Sequence, residues 1–309
     1  MAFRYINPGY KALLDKNCIS TEVTSTEYSK TGVAFSQTNS SAGITIPTFS
    51  EGDDFWAKFG AYIPSATAVD IYLLTPKSNS GLFVEIYRDG RVWLYQRYNG
   101  NNLTIAYGNT AAGALKFGAV NNFVVHIKLG TSADAVLEFS INGQSFSNNG
   151  RTMTYSESLS AIARIYSTSA NVFFSNLIFS NEEISPKEMI ITLPTSETVT
   201  NMTAGASGLF IADAANQTLF QTVDVATLIE NYGASSAVTG IALVGNPAYA
   251  TGTELTSLIG LSKGGASIIE HGTCNLSDDT DATIVDGWSV DDKTIADLQV
   301  MQFGWKAGE

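Results

Sequence analysis

The stretch GLFVEIYRDGRVWLYQRYNG, residues 81–100, is the part of the sequence that determines our prediction of the fold. Two runs of alternating aromatic, β-branched and polar residues meet at Asp89-Gly90. Asp-Gly between such runs predicts a β-hairpin, because a type I′ turn needs positive φ at both central positions and glycine adopts it freely. We therefore expect two antiparallel strands joined by a two-residue turn.

The expected turn fixes which side chains share a face of the hairpin. With a two-residue turn, Ile86 lies opposite Trp93 and Val84 lies opposite Tyr95. This pairing favours Trp93 as a core residue beside the two aliphatic side chains. The alternative is that Trp93 and Tyr95, with Arg91 and Arg97 beside them, form a platform on which a sugar ring stacks. The sequence leaves both interpretations open.

Other segments repeat the same period of two residues. Residues 55–63 and 121–129 alternate between apolar and mixed side chains. Residues 135–141 run into Asn142-Gly143, a second turn signal. Residues 172–180 are apolar on both faces, as in a strand that is covered on each side. Strands at short, regular spacing predict an antiparallel sandwich of two sheets.

Charge is distributed unevenly along the 309 residues, whose net charge is −12. Residues 1–194 contain 14 Lys and Arg against 15 Asp and Glu, while residues 195–309 contain 3 against 14. This shift predicts a domain boundary near Pro194. Binding to nucleic acid needs clustered basic residues, so we expect no nucleic-acid partner for this acidic chain.

Residues 195–309 are predicted to form a smaller acidic domain that is β-rich or α+β. Within it, residues 224–233 have apolar side chains at helical spacing, with Asp224 as the N-cap and Gly233 as the C-terminal stop. Strands are predicted over residues 210–211, 240–244 and 298–303, with a short helix over 293–298 as an alternative to the start of the last strand.

The first residues, MAFRYINPGYKALLDKN, lack the basic and apolar regions of a secretory signal peptide. No apolar run reaches about eighteen residues, so we expect no membrane-spanning segment. Cys18 and Cys274 are the two cysteines of the chain. They lie far apart, so two ordinary thiols are favoured over a single bridge.

Three pieces between residues 20 and 192 together resemble the concanavalin A-like, or laminin-G-like, jelly-roll family. They are IYRDGRVWLY (86–95), the pair NNFVVHIKLG and AVLEFSINGQ, and VFFSNLIFSNEEIS (172–185). The resemblance implies two curved antiparallel sheets, whose rim loops or concave face hold carbohydrate or protein ligands. It also implies a jelly-roll domain over residues 1–194, with residues 1–20 as an N-terminal arm.

The sequence departs from the enzymes and the calcium-binding members of that family. Related glycoside hydrolases carry three alternating carboxylates on one strand, whereas EGDDFW (51–56) lacks the third. We therefore expect that the chain is not an enzyme and needs no cofactor. No match to the calcium site of the family is found. The nearest acidic candidates are Asp278, Asp279 and Asp281, for which a solvated surface is favoured.

The predicted ligand contacts are Trp93, Tyr95 and Arg97, together with the loop that follows them. This loop offers amide groups beside an aromatic ring, through Tyr98, Asn99 and Asn101. Such groups suit sugar hydroxyls, although a plain solvated turn is the favoured alternative.

The two histidines are not expected to form a functional centre. His126 lies in an alternating strand and is predicted to be structural or on the surface. His271 and Cys274 would supply only two of the four ligands of a structural zinc, so no zinc site is expected.

These features favour a non-enzymatic protein whose jelly roll binds a glycan or another surface ligand. A bacteriophage or prophage tail accessory protein fits the absent signal peptide and the few cysteines, with assembly in the cytoplasm and action at a virion or extracellular surface. A homotrimer or another symmetric assembly would strengthen weak sites by avidity. The alternatives are a structural assembly protein that makes only protein contacts and, third, a polysaccharide-active enzyme.

Overall fold

The computed structural model divides the chain into two compact units, Met1–Ile190 and Ile191–Glu309. The residues described are 4–9, 20–38, 54–75, 81–98, 103–128, 136–145, 147–148, 162–185, 188–193, 195–205, 209–280 and 283–309. Strands dominate both units, and the described strands pair antiparallel. The predicted fold class is confirmed. The boundary predicted near Pro194 and the family assigned to residues 1–194 stay predictions.

The first unit consists of two sheets. Its strands are β1 (Arg4–Asn7), β2 (Ser20–Thr24), β3 (Val33–Gln37), β4 (Asp54–Tyr62), β5 (Val69–Thr75), β6 (Gly81–Ile86), β7 (Val92–Tyr98), β8 (Leu103–Asn109), β9 (Val120–Lys128), β10 (Val136–Ile141), β11 (Gln144–Ser145), β12 (Ser147–Asn148), β13 (Ile162–Ser167) and β14 (Phe173–Ser180). As far as the residues are described, the eight-stranded sheet has the order β11-β10-β9-β4-β14-β3-β2, with β1 also paired to β14. The six-stranded sheet has the order β12-β8-β7-β6-β5-β13.

The two sheets enclose one hydrophobic core. In β4, Phe55 and Phe59 are fully buried, while Trp56 and Lys58 between them are only half-buried. Strand β9 alternates in the same way around Phe123. The six-stranded sheet adds Ile71, Val84, Ile86, Val92 and Leu94 to the same core. The period of two predicted for β4 and β9 is therefore confirmed, and burial of their apolar faces is the main force that holds the sandwich together.

Two further sequence predictions are confirmed in this unit. Asn142 and Gly143 have φ values of 51° and 80° and join β10 to β11 in a two-residue turn. Positive φ at both positions is what a type I′ turn requires. Strand β14 pairs with β4 on one side and with β3 on the other, and side chains on both of its faces are buried.

The hairpin that joins β6 to β7 has a longer turn than the sequence predicted. The N–H of Tyr87 donates to the carbonyl of Arg91 at 2.9 Å, and the N–H of Gly90 donates to the carbonyl of Tyr87 at 2.9 Å. The loop therefore has three residues, Arg88, Asp89 and Gly90, and Gly90 has a φ of 75°. A type I turn followed by a left-handed glycine is the usual form of such a loop.

The extra loop residue shifts the register of the hairpin by one. Glu85 pairs with Trp93 and Val84 pairs with Leu94, whereas a two-residue turn would have set Ile86 against Trp93. Because side chains alternate with a period of two, a shift of one residue exchanges the faces. The favoured prediction that Trp93 packs in the core is therefore wrong. Val84 and Leu94 are fully buried, and Trp93 is partly exposed on the outward face.

The loop before β9 holds this turn in place. The N–H of Gly113 donates to the carbonyl of Asp89 at 2.9 Å, and the N–H of Leu115 donates to the carbonyl of Gly90 at 3.1 Å. A Cβ on Gly90 would lie only 2.7 Å from the carbonyl oxygen of Leu115. Glycine is needed here both for the positive φ and for this close approach.

The second unit is also built mainly from strands. Its elements are β15 (Thr195–Thr200), β16 (Thr203–Ala204), β17 (Phe210–Ile211), β18 (Thr218–Val223), α1 (Ala226–Tyr232), β19 (Ala237–Gly245), β20 (Ser257–Gly264), β21 (Ser267–Asn275), β22 (Ile284–Thr294), α2 (Ile295–Leu298) and β23 (Met301–Gly308). The main sheet has the order β15-β18-β23-β20-β21 in the part of the chain that is described. Two smaller sheets pair β16 with β17 and β19 with β22.

Helix α1 begins one residue later than its predicted cap implies. Val225 occupies the N-cap position, so the prediction of Asp224 as the N-cap is wrong. The carboxylate of Asp224 nevertheless accepts a hydrogen bond from the N–H of Ala226 at 2.9 Å. Gly233 ends the helix with a φ of 87°, as predicted.

The alternative helix near residue 295 is observed as α2. The hydroxyl and N–H of Thr294 both donate to the carboxylate of Asp297 at 2.8 Å, within a capping box. Leu298 ends this helix, so the predicted strand over 298–303 begins at Met301 instead.

Both helices are short, with seven residues in α1 and four in α2. Within the described ranges, no helix has the length and apolar character needed to cross a bilayer.

Candidate functional site

The outward face of the six-stranded sheet brings together aromatic and acidic side chains from neighbouring strands. The register places one residue from each of four strands in a single row: Asp70, Glu85, Trp93 and Asn109. Tyr95 lies two residues beyond Trp93 on β7 and so shares its face. Tyr87 follows Glu85 at the same spacing. We name Glu85, Tyr87, Trp93 and Tyr95 the aromatic face.

The three rings of the aromatic face are offset from one another. The centroids of Trp93 and Tyr95 are 5.9 Å apart with an interplanar angle of 18°, and those of Tyr87 and Trp93 are 6.5 Å apart at 57°. All three side chains are partly exposed. Partly exposed rings of this kind present apolar surface with polar atoms at its edges, which suits a ligand that is apolar on one side and polar around its rim.

Hydroxyl groups and a carboxylate meet at the edge of the rings. The hydroxyl of Tyr87 donates to Oε2 of Glu85 at 3.0 Å and lies 3.2 Å from the hydroxyl of Tyr95. The hydrogen bond with Tyr95, burial and the charge of Glu85 hold the pKa of Tyr87 well above its usual value. Burial raises the pKa of Tyr95 as well, with contributions from the charges of Glu85 and Asp70. Both phenols therefore keep their protons at neutral pH.

Arg91 borders the aromatic face but is already paired. Its Nε donates to Oδ2 of Asp89 at 2.7 Å, and its guanidinium carbon lies 5.9 Å from the ring centroid of Tyr87. The backbone N–H of Arg91, and then its guanidinium, lower the pKa of the Asp89 carboxyl. The positive charge of Arg91 is thus balanced by its neighbour in the turn.

The structure brings together two of the residues predicted to contact a ligand. Trp93 and Tyr95 lie side by side on the aromatic face. Arg97 and Tyr98 belong to β7, but their side chains lie outside the described part of the structure, and so do Asn99 and Asn101 entirely. The assignment of these residues to ligand binding stays a prediction.

Sequence reasoning missed Glu85 and Tyr87 as members of the face. The signal that identifies them is the loop Arg88-Asp89-Gly90, which fits a three-residue hairpin as well as Asp-Gly fits a two-residue one. Pairing the strands across three residues places Glu85 opposite Trp93 and leaves Tyr87 beside them.

The eight-stranded sheet also carries an outward tryptophan, in a different setting. Trp56 and His126 stack face to face, with centroids 3.8 Å apart and an angle of 7°. The Nε2 of His126 lies 2.8 Å from Oδ1 of Asp54, and its Nδ1 lies 3.1 Å from Oε2 of Glu138. The side chain of His126 is only 13% exposed. Asp54 and Glu138 therefore pair with both ring nitrogens of His126. The His126 ring in turn covers one face of the Trp56 ring.

The second unit contains the other histidine and the free cysteine. His271 stacks on Trp288 with centroids 3.7 Å apart, and its Nε2 lies 2.8 Å from Oγ of Ser262. Burial lowers the pKa of His271. The thiol of Cys274 donates to the carbonyl of Val285 at 3.7 Å, and burial, with the charge of a nearby carboxylate, raises the pKa of Cys274 to about 12. A thiol of this kind is a poor nucleophile and metal ligand. The possible partner Cys18 lies outside the described residues.

That nearby carboxylate belongs to Asp286, which is itself buried. It accepts a hydrogen bond from the N–H of Gly272 at 3.0 Å, beside the point where the β20–β21 register shifts. Burial raises the pKa of Asp286. A Cβ on Gly260 or Gly272 would collide with this carboxylate, so both glycines make room for it. Its observed role is to satisfy a backbone group that the irregular ladder leaves unpaired.

The predicted calcium candidates are only partly described. Asp278 and Asp279 are exposed, and Asp281 lies outside the described residues. Among the side chains that the structure places, no three of His, Cys, Asp or Glu come together as metal ligands. Calcium binding at these residues stays a prediction.

A cavity of about 570 Å³ lies in the second unit, next to the edge strand β21. Its lining includes Ser262, Ile269, Lys293, Asp297, Val300 and Met301. The carboxylate of Asp297 is occupied by the cap of α2. Since binding sites usually combine an apolar surface with several convergent polar groups, the aromatic face is the stronger candidate.

Comparison with known proteins gives similarity only at the level of solved structures. No protein-family model and no curated protein matches the chain. An endo-β-1,4-glucuronan lyase from the fungus Trichoderma reesei is similar with 10% identity and a TM-score of 0.42, over 57% of this chain and 94% of that chain. The alginate lyase Aly36B has 11% identity and a TM-score of 0.32, over 57% and 86%. Sheep galectin-11 has 10% identity and a TM-score of 0.30, over 43% and 94%.

These similarities overturn one prediction. The prediction that the chain is not an enzyme is wrong, in that an enzyme is no longer excluded. Two of the solved structures just named are polysaccharide lyases. With identities near 10% and TM-scores below 0.5, the similarity carries no argument about activity, and enzyme status is unsettled.

Proposed function

We propose that the first unit binds carbohydrate on the aromatic face of its six-stranded sheet. The observation that carries this proposal is the outward placement of Tyr87, Trp93 and Tyr95 around the carboxylate of Glu85. A sugar ring has an apolar face of C–H groups and a rim of hydroxyls. The rings supply a stacking surface for the first, and Glu85 with the two phenols supplies hydrogen-bonding groups for the second.

The core beneath supports such a site. Val84, Ile86, Val92 and Leu94 are fully buried on the inner side of the same two strands. Their packing fixes the backbone from which the outward side chains project, so the aromatic face is pre-organised and a ligand need not order it.

The test is binding of the full-length protein to a panel of neutral, amino and uronate oligosaccharides, measured by isothermal titration calorimetry. We expect Trp93→Ala to weaken binding at least about tenfold, since it removes the central ring. The matched control is Trp56→Ala, which removes the outward tryptophan of the other sheet and should leave affinity within about twofold. Wild-type protein that binds no member of the panel, or equal losses in both variants, would overturn the proposal.

The same mixtures are followed for cleavage of the glycan, because enzyme status is unsettled. Unsaturated products that form with wild-type protein and are lost with Trp93→Ala would make the aromatic face an active site. Binding without products would limit it to recognition.

A second role, assembly through the second unit, is favoured by one specific observation. Strand β21 is an edge of the main sheet in the described chain, and its Ile268 and Ile269 are 52% and 57% exposed. Exposed edge strands with apolar side chains are templates for pairing with another chain. We propose symmetric assembly, as a trimer or another closed oligomer, tested by light scattering of wild-type protein and Ile269→Lys. A monomeric wild type would contradict this role.

The setting is proposed on the sequence alone. Display of many copies on a virion or another extracellular surface, such as a phage tail, would make weak glycan contacts effective through avidity. Comparing binding to dense and sparse glycan surfaces measures this directly, and equal apparent affinities would contradict it.

A further inference from the structure

The aromatic face carries a negative charge at its centre. Glu85 sits in the middle of the row across the sheet, and its carboxylate accepts a hydrogen bond from the hydroxyl of Tyr87 and has Tyr95 as a further hydrogen-bond partner. A hydroxyl donor stabilises a carboxylate but does not neutralise it. The charges of Glu85 and Asp70 also reach the hydroxyl of Tyr95, where they add to the effect of burial on its pKa.

Arg91 is a described cation at the border of this face, and it does not offset the charge of Glu85. Arg91 lies at the Tyr87 end of the face, and its Nε is held by the carboxylate of Asp89 at 2.7 Å. The pair is neutral as a unit. A ligand that reaches Trp93 therefore meets the field of Glu85, which the Arg91–Asp89 pair does not cancel.

This inference rests on the proposed carbohydrate site. We propose that the aromatic face selects glycans that carry hydrogen-bond donors and no carboxylate. Amino sugars bind more tightly than neutral sugars, and uronates bind weakest. An ammonium group gains from Glu85 and from the electron-rich faces of the rings. A neutral hydroxyl donates to the same carboxylate with a smaller gain. A uronate places like charges together, and this repulsion rejects it.

The experiment compares glucosamine, glucose and glucuronate oligosaccharides of equal length and linkage, titrated into the full-length protein at low and high salt. We expect the glucosamine oligomer to bind at least about tenfold more tightly than the glucuronate oligomer at low salt. The difference should shrink as salt screens the charges.

The decisive variant is Glu85→Gln, which keeps an acceptor for Tyr87 and removes the charge. It should reduce the preference for glucosamine over glucuronate at least about threefold. The control is Glu182→Gln, which removes an exposed carboxylate next to β14. This variant changes the net charge of the protein by the same amount. It should leave the ratio unchanged, and this separates the local charge from the overall negative charge of the chain.

The outcomes separate this inference from the proposal beneath it. Glucuronate binding as tight as glucosamine binding, in a complex that still depends on Trp93, overturns the charge selection alone. The same holds if Glu85→Gln and Glu182→Gln change the ratio equally. Absence of binding by all three sugars overturns the carbohydrate site, and the inference with it.

Discussion

Trp93 and Trp56 both lie on the outward face of a sheet of the sandwich, yet their surroundings differ. Each lies on an outward face between buried neighbours of its own strand. Trp56 is stacked face to face on His126 at 3.8 Å, whereas the ring nearest to Trp93 is offset at 5.9 Å. His126 is in turn held by Asp54 and Glu138 on both sides.

This difference is the reason that we propose Trp93, and not Trp56, as a ligand contact. The ring of Trp56 stacks on His126 of the neighbouring strand β9. The polar groups around Trp56 pair with one another, since both ring nitrogens of His126 contact carboxylates. Lys58 lies on the same face, and its ammonium group donates to the backbone carbonyls of Ser185 and Glu188. On the aromatic face, the centroids of neighbouring rings are 5.9 and 6.5 Å apart, so these rings pack less closely than Trp56 and His126 do.

The largest expected effect concerns the turn that sets Trp93 outward. Gly90→Ala should lower the free energy of unfolding by about 3 kcal/mol, because the new Cβ combines a positive φ of 75° with a contact of 2.7 Å to the Leu115 carbonyl. Gly113→Ala is the control: its φ is 76°, but nothing lies within 4 Å of its Cβ, so about 1 kcal/mol is expected. Chemical denaturation measures both, and equal losses would show that the close approach at Gly90 is unimportant.

The next prediction crosses stability with binding. Trp56→Ala should cost about 2 kcal/mol of stability, since it removes a stacked partner of His126, while Trp93→Ala should cost about 1 kcal/mol. The loss of affinity for the glycan should be larger for Trp93→Ala than for Trp56→Ala. Denaturation and calorimetry on the same preparations test this. If one variant loses more of both stability and affinity than the other, the contrast between the two faces is contradicted.

The smallest effect is a pH dependence of the aromatic face. The pKa of Tyr87 is raised in the folded state, whereas an unfolded tyrosine has a pKa of about 10. Above that pH the unfolded chain has released a proton that the folded chain keeps, so the free energy of unfolding falls as pH rises. Tyr87→Phe should reduce this fall, and Tyr232→Phe, an exposed tyrosine on α1, should not. Denaturation at a series of alkaline pH values checks it, with identical slopes as the contrary result.

The strands of the sandwich could be predicted where one face was clearly apolar. In β4 and β9, Phe55, Phe59 and Phe123 recur at even spacing against polar neighbours, and the observed burial follows that pattern. The turn at Asn142-Gly143 was equally clear, because both residues adopt positive φ. Local preference and tertiary packing agree at these positions.

The candidate site could not be predicted to the same degree. Both alternating sets in β6 and β7 contain apolar or aromatic residues, since Val84 and Leu94 alternate with Trp93 and Tyr95. The pattern therefore does not determine which set is buried. The choice depends on the length of the turn, and the turn is held by contacts from Gly113 and Leu115, more than twenty residues along the chain. A short-range signal such as Asp-Gly cannot report a contact at that distance.

The strict alternation of β6 and β7 has a consequence for the evolution and redesign of this surface. Because Val84, Ile86, Val92 and Leu94 hold the core from one side of the strands, residues on the other side can change without repacking it. The ligand preference of the proposed carbohydrate site could then be altered one residue at a time, while the core stays intact. Insertion or deletion of a single residue in the Arg88–Gly90 loop would have the opposite effect, since it would exchange the two sets at once. We therefore expect this hairpin to tolerate changes of its exposed residues better than changes in the length of its loop.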